Sequence, residues 1–567
     1  MNSRHGSPDL RYALERLRGI ARPQVTVTSP PGGVRIERDV PVRVRDGTTL
    51  RVSVFRPQLD GAARFPVLMC AHPYGKDALP KRTPFGYIAP LMYRILRQPA
   101  PVRFSALTTW EAPDPAFWVP RGYVVVNCDL RGCGHSDGVG TPFSDQETED
   151  YYDLIEWAAA QPWSTGRVGL NGVSYLAISQ WKVAARQPPH LAAICPWEGF
   201  TDAYRDFAYP GGVREDGFFS LWSRQLRRSA RLTADLREEQ LRRPLWDDWW
   251  AARVPHLEDI QVPALICASF SDHNLHSRGS FEAFRRTGSR HRWLYTHRGG
   301  KWATYYSSDA LAFQAQFFDH FLKDVENGML AVPPIRLEVR DTGDGIHEVR
   351  QEPAWPLSGT RWTPLYLSAD GGLHEGGQTV DGTSESREMS FDTRTGRASF
   401  SWTVPRDVEL SGPMRVRLYL SVPAAPGKAT PDPHLFVAVR KLRRGRHVGF
   451  EGSYGFGHDV VTRGWLNVSH RLADAERSTP WLPVSRHDIA EPLTPGNIVP
   501  LDVELLPSAT FFRAGDVLRL DVQGRPLFTR NILLGQFPAD YARSSGATVL
   551  LHVGGGHEAH LVAPLIA

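Results

Sequence analysis

At 567 residues the chain is longer than one hydrophobic core supports, so about two or three domains are expected. Its 66 basic and 61 acidic side chains are interspersed and leave a formal charge of +5, which removes the electrostatic argument for a nucleic-acid partner. A hydrophobic content of 41% with 11% aromatics excludes a disordered chain, and no apolar run reaches the roughly 18 residues of a membrane span, so no membrane partner is expected either. Five cysteines, Cys70, Cys128, Cys133, Cys195 and Cys267, are odd in number and mostly sit in apolar strand-like runs. They read as reduced core residues, and without CxxC pairs or Cys/His clusters neither a metal nor another cofactor is expected. The N-terminus lacks the apolar core of a secretory signal, so the expected location is cytoplasmic.

In chain order, residues 1–31 read as a poorly packed arm with a short basic helix from Leu10 to Ile20. From Val40, VPVRVRDGTTLRVSVFRP alternates in period two around Asp46-Gly47, which predicts a β-hairpin opening the first domain. Continuous apolar runs follow at Phe65–Ala71, Tyr123–Asp129, Arg167–Gly172, Leu191–Trp197, Val262–Phe270 and His291–Thr296, as in strands buried on both faces. Segments of helical spacing, such as EDYYDLIEWAAAQ and SYLAISQWKVAARQ, lie between them, so the sheet is mainly parallel and the class α/β. The rhythm breaks over about residues 199–260 into a Trp- and Arg-rich helical stretch, read as an inserted amphipathic cap. After a helix around Ser308 to Lys323, Pro333 and Pro334 mark a linker, and short strands with turns then predict an all-β jelly-roll or galactose-binding-like sandwich. The expected division is an arm over 1–31, an α/β-hydrolase domain over 32–332 and a β-sandwich over 333–567, with Asp370 to Glu388 a long loop.

In RVGLNGVSYLAISQW, Ser174 falls on a sharp turn between a buried strand and a helix starting at Tyr175. Such a turn exposes the serine oxygen where backbone N–H groups can hold a developing oxyanion. Gly172 suits the turn because little room is left for a Cβ, although Leu176 stands where the generic G-x-S-x-G elbow has glycine. A hydrolase of this kind needs a carboxylate and then a histidine on later strand ends. Asp272 follows VPALICASF and His297 follows HRWLYT, so both would emerge at the sheet edge that carries Ser174. Taken singly, Asp272 could equally cap the next helix and His297 be an ordinary loop histidine. His273 and His276 neighbour Asp272 and could line the pocket, but the strand end before His297 favours His297 as base. Asp129 and Arg131 read as a structural pair.

The run CDLRGCGHSDG (Cys128 to Gly138), the elbow GVSYLA, then SFSDHNLHSRGSFEAF and THRGGKW, resemble the CocE/NonD family of cocaine esterase and X-Pro dipeptidyl-peptidases. GWLNVSHR, the stretch Pro492 to Val522 and the final HEAHLVAPL resemble that family's C-terminal domain, so the likeness runs from about Ile36 to the end. The resemblance implies a serine hydrolase with Ser174 as nucleophile, Asp272 as acid and His297 as base. It also implies an oxyanion hole from the Tyr74 hydroxyl and the Tyr175 backbone N–H. Ala177 departs from the family's glycine. The expected function is cleavage of an ester or amide through an acyl-enzyme, on a small molecule or a short peptide. The alternative is an X-Pro dipeptidyl-peptidase, which must pair a substrate ammonium with buried carboxylates, for which Glu198, Asp202, Glu215 and Asp216 are candidates. A silent carbohydrate-binding protein is a third reading, and homo-oligomerisation is left open.

Overall fold

The computed structural model describes residues 10–58, 63–95, 100–376, 386–424, 427, 429–452, 457–533 and 535–566. The hairpin around Asp46-Gly47 is formed by β1 (Val34–Arg43) and β2 (Thr49–Pro57), which pair antiparallel. The apolar runs become β3 (Phe65–His72), β4 (Val124–Asp129), β5 (Ser164–Val173), β6 (Leu191–Trp197), β7 (Ala264–Ser269) and β8 (Arg292–His297). The sheet order is β1-β2-β4-β3-β5-β6-β7-β8, parallel from β4 onward. The chain crosses to opposite sides of β3 in turn, so a crevice opens past the carboxyl ends of β3 and β5, where α/β sheets bind ligands.

Alternate residues of the strands feed two apolar layers, as a pleat with both faces covered requires. Val67 and Met69 pack with Leu154, Ile155, Leu176 and Val183, whereas Leu68 packs with Phe317, Phe318 and Leu322. The first group lies on α2 (Asp145–Ala159) and α3 (Tyr175–Ala185). Ser144 caps α2 by accepting the Glu147 N–H at 3.2 Å, and the acidic Asp145 and Glu147 suit the positive helix start. The cap lies between β6 and β7 and includes α4 (Phe218–Ser229), with Trp222, Leu226, Leu236 and Trp250 buried in the first apolar layer.

Two expectations change. The arm is packed: after the helix α1 (Leu10–Ala21), the strand Val25–Thr28 pairs parallel with Val102–Ser105, because its two valines complete an apolar layer with Val102 and Phe104. Arg16 is buried and its Nε donates to the Ile532 carbonyl at 3.1 Å, while residues 1–9 lie outside the described residues. The sheet also continues past Pro333 and Pro334. Strand β9 (Ile335–Arg340) pairs parallel with β8, and β10 (Ile346–Glu352) pairs antiparallel with β9. The loop reading of Asp370 to Glu388 is interrupted by the short strand Leu373–Glu375, and residues 377–385 lie outside the described residues.

The remaining strands form two stacked sheets. The first contains Val408–Ser421, Val499–Phe512, Thr548–Val553 and His560–Ile566, and the second contains Ala398–Thr403, Val517–Gln523, His434–Arg443 and Thr462–Asn467. Leu410, Val416, Leu418, Val437, Val503 and Leu520 are among the side chains that fill the space between them. Arg340 pairs with Thr510, so the first sandwich sheet abuts the hydrolase sheet edge to edge. All five cysteines are buried and free. Among the described residues no helix is long and apolar enough to cross a membrane.

Candidate active site

Ser174 follows β5 and precedes α3, with φ 60° and ψ −118°, a strained conformation for a residue with a side chain. The strain is held by Ser174 N–H donating to the Trp197 carbonyl and by its own carbonyl accepting from Ala177 and Ile178 at 2.9 Å. A Cβ at Gly172 would come within 2.5 Å of the Leu176 Cβ, so the elbow needs glycine there and leaves Leu176 its space. The Tyr175 N–H, at the first turn of α3, has no intrahelical acceptor, as at any helix start. Tyr74, just past β3, holds its ring edge-on to Tyr175 at 6.2 Å, and its hydroxyl accepts from Trp222 Nε1 at 2.9 Å. That acceptance leaves the Tyr74 proton free to donate.

The contacts of the two histidines differ from the sequence expectation. Ser174 Oγ lies 3.0 Å from Nε2 of His276, whereas His297 makes no hydrogen bond to Ser174. His276 reaches the serine because the loop after β7 folds tightly: the Asp272 carbonyl accepts from the N–H groups of Leu275, His276 and Ser277. Ser277 Oγ then donates to the Ser269 carbonyl at 2.6 Å, starting α5 (Ser277–Arg286) directly behind the turn. The His276 ring stacks on Phe200 at 6.0 Å, and its Nδ1 is buried without a partner. Burial, with Lys301 adding to it, holds the imidazole well below its ordinary 6.5.

His297 instead places Nε2 3.0 Å from Glu198 Oε1, while its Nδ1 accepts from the Gly299 N–H at 3.2 Å and lies 3.3 Å from Thr304 Oγ1. Burial pushes the Glu198 carboxyl up, but His297, Lys301 and Ser269 outweigh it and hold it below the usual carboxylate value. Asp272 pairs with Lys301 Nζ at 2.6 Å and is 4.0 Å from His276 Nε2. Its N–H donates to Ser269 Oγ, which in turn donates to Glu198, so one hydroxyl ties the Asp272 backbone to the Glu198 carboxylate. Glu198, Cys267 and His297 set donor atoms of metal-ligand type within 4.8 Å of one another, but the facing atoms of Glu198 and His297 already satisfy each other.

Several residues of the site had no role in the sequence reading. Glu111 is buried beneath the elbow: its carbonyl accepts the Val173 N–H at 3.1 Å, its Oε1 accepts from Trp302 Nε1 at 3.1 Å, and its Oε2 has no partner. Burial pushes this carboxyl up to about 8, against the pull of Lys301. Lys301 stays charged because Asp272, Glu198 and Glu111 outweigh the cost of burying it. Ser174, Glu111, Phe143 and Glu198 all have positive φ without being glycine, a concentration of backbone strain expected of a functional site. Asn274, inside the folded loop, accepts from Tyr541 Oη and Arg463 Nη1 of the sandwich, each at 3.1 Å.

The four carboxylates considered for an ammonium are occupied. Besides Glu198, Asp202 pairs with Arg205 at 2.8 Å, Asp216 pairs with Arg214 and Arg237, each at 2.7 Å, and Glu215 accepts the N–H groups of Gly217, Phe218, Phe219 and Asp540.

Residues 46–300 match the model of the X-Pro dipeptidyl-peptidase (S15) family, and residues 327–561 that of the X-Pro dipeptidyl-peptidase C-terminal non-catalytic domain. A CocE/NonD family hydrolase from Staphylococcus aureus has a solved structure that is 36% identical, with a TM-score of 0.86 over 97% of this chain and 100% of that one. The chain belongs to the CocE/NonD family of hydrolases. The cocaine esterase of Rhodococcus sp. (strain MB1 Bresler) is 29% identical over an alignment of 421 positions that covers 64% of this CocE/NonD hydrolase and 67% of the relative. A serine esterase, named as putative, from Mycobacterium bovis is 28% identical over 222 residues, covering 39% of this chain but 31% of its own length. An α-amino acid ester hydrolase, 18% identical with a TM-score of 0.67 over 94% of this chain and 97% of that one, shares the fold. This CocE/NonD hydrolase is therefore a serine hydrolase of esterase or X-Pro dipeptidyl-peptidase type.

Proposed function

We propose that this hydrolase cleaves the ester or amide bond of an uncharged small molecule, with Ser174 as nucleophile and His276 as its base. The observation that carries the reading is the 3.0 Å contact between Ser174 Oγ and His276 Nε2 at a strained elbow. His276 takes the hydroxyl proton as Ser174 attacks the carbonyl carbon, and the charge gathering on the carbonyl oxygen is met by the Tyr74 hydroxyl and the Tyr175 N–H. His276 then protonates the leaving group, and water, deprotonated by the same imidazole, releases the acid from the acyl-serine. Asp272 and Lys301 act beside the imidazole as a charge pair. His297, the base expected from the sequence, serves in this reading to hold Glu198 in the floor of the site.

The preference for an uncharged substrate rests on the occupied carboxylates. A dipeptidyl-peptidase would have to rely on Glu111, whose free Oε2 is the observation favouring that second reading. A fluorophosphonate is expected to form an adduct on the peptide containing Ser174, located by mass spectrometry. Ala-Pro-p-nitroanilide is expected to be cut no faster than its N-acetylated form. An adduct elsewhere, or none, sinks the nucleophile; a strong preference for the free amine sinks the uncharged substrate.

The pH dependence follows from the same contact. Neutral imidazole is the base, and a depressed pKa keeps it neutral to lower pH, so the acidic limb of kcat/KM is expected below the ordinary histidine value of 6.5. A limb at or above that value, measured with a non-ionising ester, would count against His276.

A further inference from the structure

The cap helix α4 reaches Tyr74 and the residue before it. From the first half of the helix Trp222 Nε1 donates to the Tyr74 hydroxyl at 2.9 Å, and from its end Ser229 Oγ donates to the Pro73 carbonyl at 3.0 Å. The indole has little freedom of its own. It is buried, lies parallel to the Phe143 ring at 5.9 Å and stands edge to face with Phe207 at 5.4 Å. Phe143 stacks in turn on Tyr175, the residue after Ser174, at 4.9 Å.

The start of α4 is held from two sides. Glu215 accepts the N–H groups of Gly217, Phe218 and Phe219, which open the helix, and its Oε1 also accepts the Asp540 N–H of the sandwich at 2.9 Å. The Asp540 carbonyl accepts in return from the Asp216 and Gly217 N–H groups, at 2.9 and 3.3 Å. With both helix ends tied, the Trp222 N–H is aimed at Tyr74 rather than free to seek an acceptor. A phenol oxygen that accepts one N–H turns its own O–H elsewhere, and the donor behind it polarises that proton further. The acidity of the phenol agrees in sign: burial and then Glu111 hold it well above its ordinary value, and the Trp222 hydrogen bond pulls it back down.

We propose that Trp222 is a positioning residue for the hydrolysis: its indole N–H fixes the direction in which the Tyr74 hydroxyl donates, so that the cap helix completes the oxyanion hole. The inference rests on the role given to Tyr74 in the proposed function. Negative charge gathers on the carbonyl oxygen only as Ser174 adds to the carbon, so a well-aimed hydroxyl tightens its bond in the transition state and the effect falls on kcat. A residue that only shaped the pocket wall would act on KM instead.

A double-mutant cycle on the full chain tests this, with kcat and KM measured on p-nitrophenyl acetate and melting temperatures recorded for every variant. Tyr74→Phe is expected to lower kcat by about 100-fold or more. Trp222→Phe, which keeps an aromatic ring and removes the N–H, is expected to lower kcat by about 10-fold with KM little changed. Added to Tyr74→Phe it should cost nothing further, because no hydroxyl is left to aim. An equal loss in both backgrounds, a loss confined to KM, or no loss at all overturns the inference while leaving Tyr74 its role. An unchanged kcat in Tyr74→Phe removes the oxyanion role of Tyr74 itself, and this inference with it. If Trp222→Phe does not fold, Ser229→Ala, which frees the Pro73 carbonyl and leaves the indole in place, decides by the same cycle: a loss of kcat that vanishes in the Tyr74→Phe background supports the helix as the aiming element, and any other result overturns it.

Discussion

His276→Ala is expected to lower kcat for an ester substrate by about 10⁴-fold or more, to the level of Ser174→Ala. In the proposed mechanism the two residues act as a unit, since the serine is a poor nucleophile until the imidazole takes its proton, so the double variant should be no worse than either single one. The oxyanion donors remain in all three, and a residual rate above that in water should persist. His297→Ala is expected to behave differently. It removes the imidazole from Glu198 Oε1 and so lowers stability, but the folded fraction should retain the Ser174 contact and turn over substrate. Steady-state rates normalised to active sites, with melting temperatures measured alongside, decide the matter: a dead His297→Ala with an active His276→Ala would return the role of base to the residue expected from the sequence.

Lys301→Met is expected to destabilise the protein by roughly 3–5 kcal/mol near neutral pH. The ammonium lies among Asp272, Glu198 and Glu111, and its removal leaves buried negative charge with less to balance it. Methionine fills nearly the same volume, so the loss is electrostatic rather than a cavity. The sign of the pH effect follows. Without the lysine the carboxyls have raised pKa values, take up protons more readily, and the gap to wild type should narrow as the pH falls. Asp272→Asn in the Lys301→Met background should recover part of the loss, because it removes one of the stranded charges. Urea unfolding of the set at two pH values measures both effects, and an unchanged midpoint for Lys301→Met would show that the charge cluster carries little stability.

The parts of this architecture that were legible in the sequence are those encoded locally. Phe65–His72 and Val124–Asp129 read as buried strands because their neighbours on both faces are apolar, and the runs are continuous for that reason. The elbow could be read because Gly172 and Ser174 are two residues apart and the strain is confined between them. The base could not. Asp272 and His276 are close in the chain, but only the gathering of three N–H groups on one carbonyl turns that loop back over the serine, and no side-chain pattern announces it. His297 looked as well placed because its strand ends at the correct edge, while its partner Glu198 lies 99 residues earlier. Lys301 stood in the motif THRGGKW, but its meaning depends on Glu111, which arrives from a loop that no periodicity describes. The packing of the arm is hidden for a similar reason, since the two valines of Val25–Thr28 gain their value from a pairing with Val102–Ser105.

Asn274 gives the sandwich a stake in the chemistry. This side chain sits two residues before His276, and its carbonyl oxygen is gripped by Tyr541 and Arg463 from the far half of the chain. The half of the molecule that carries none of the proposed reacting groups thus helps to hold the loop on which the His276 imidazole stands. A foreign sandwich would need donors in the places of Tyr541 and Arg463 to keep that loop in position.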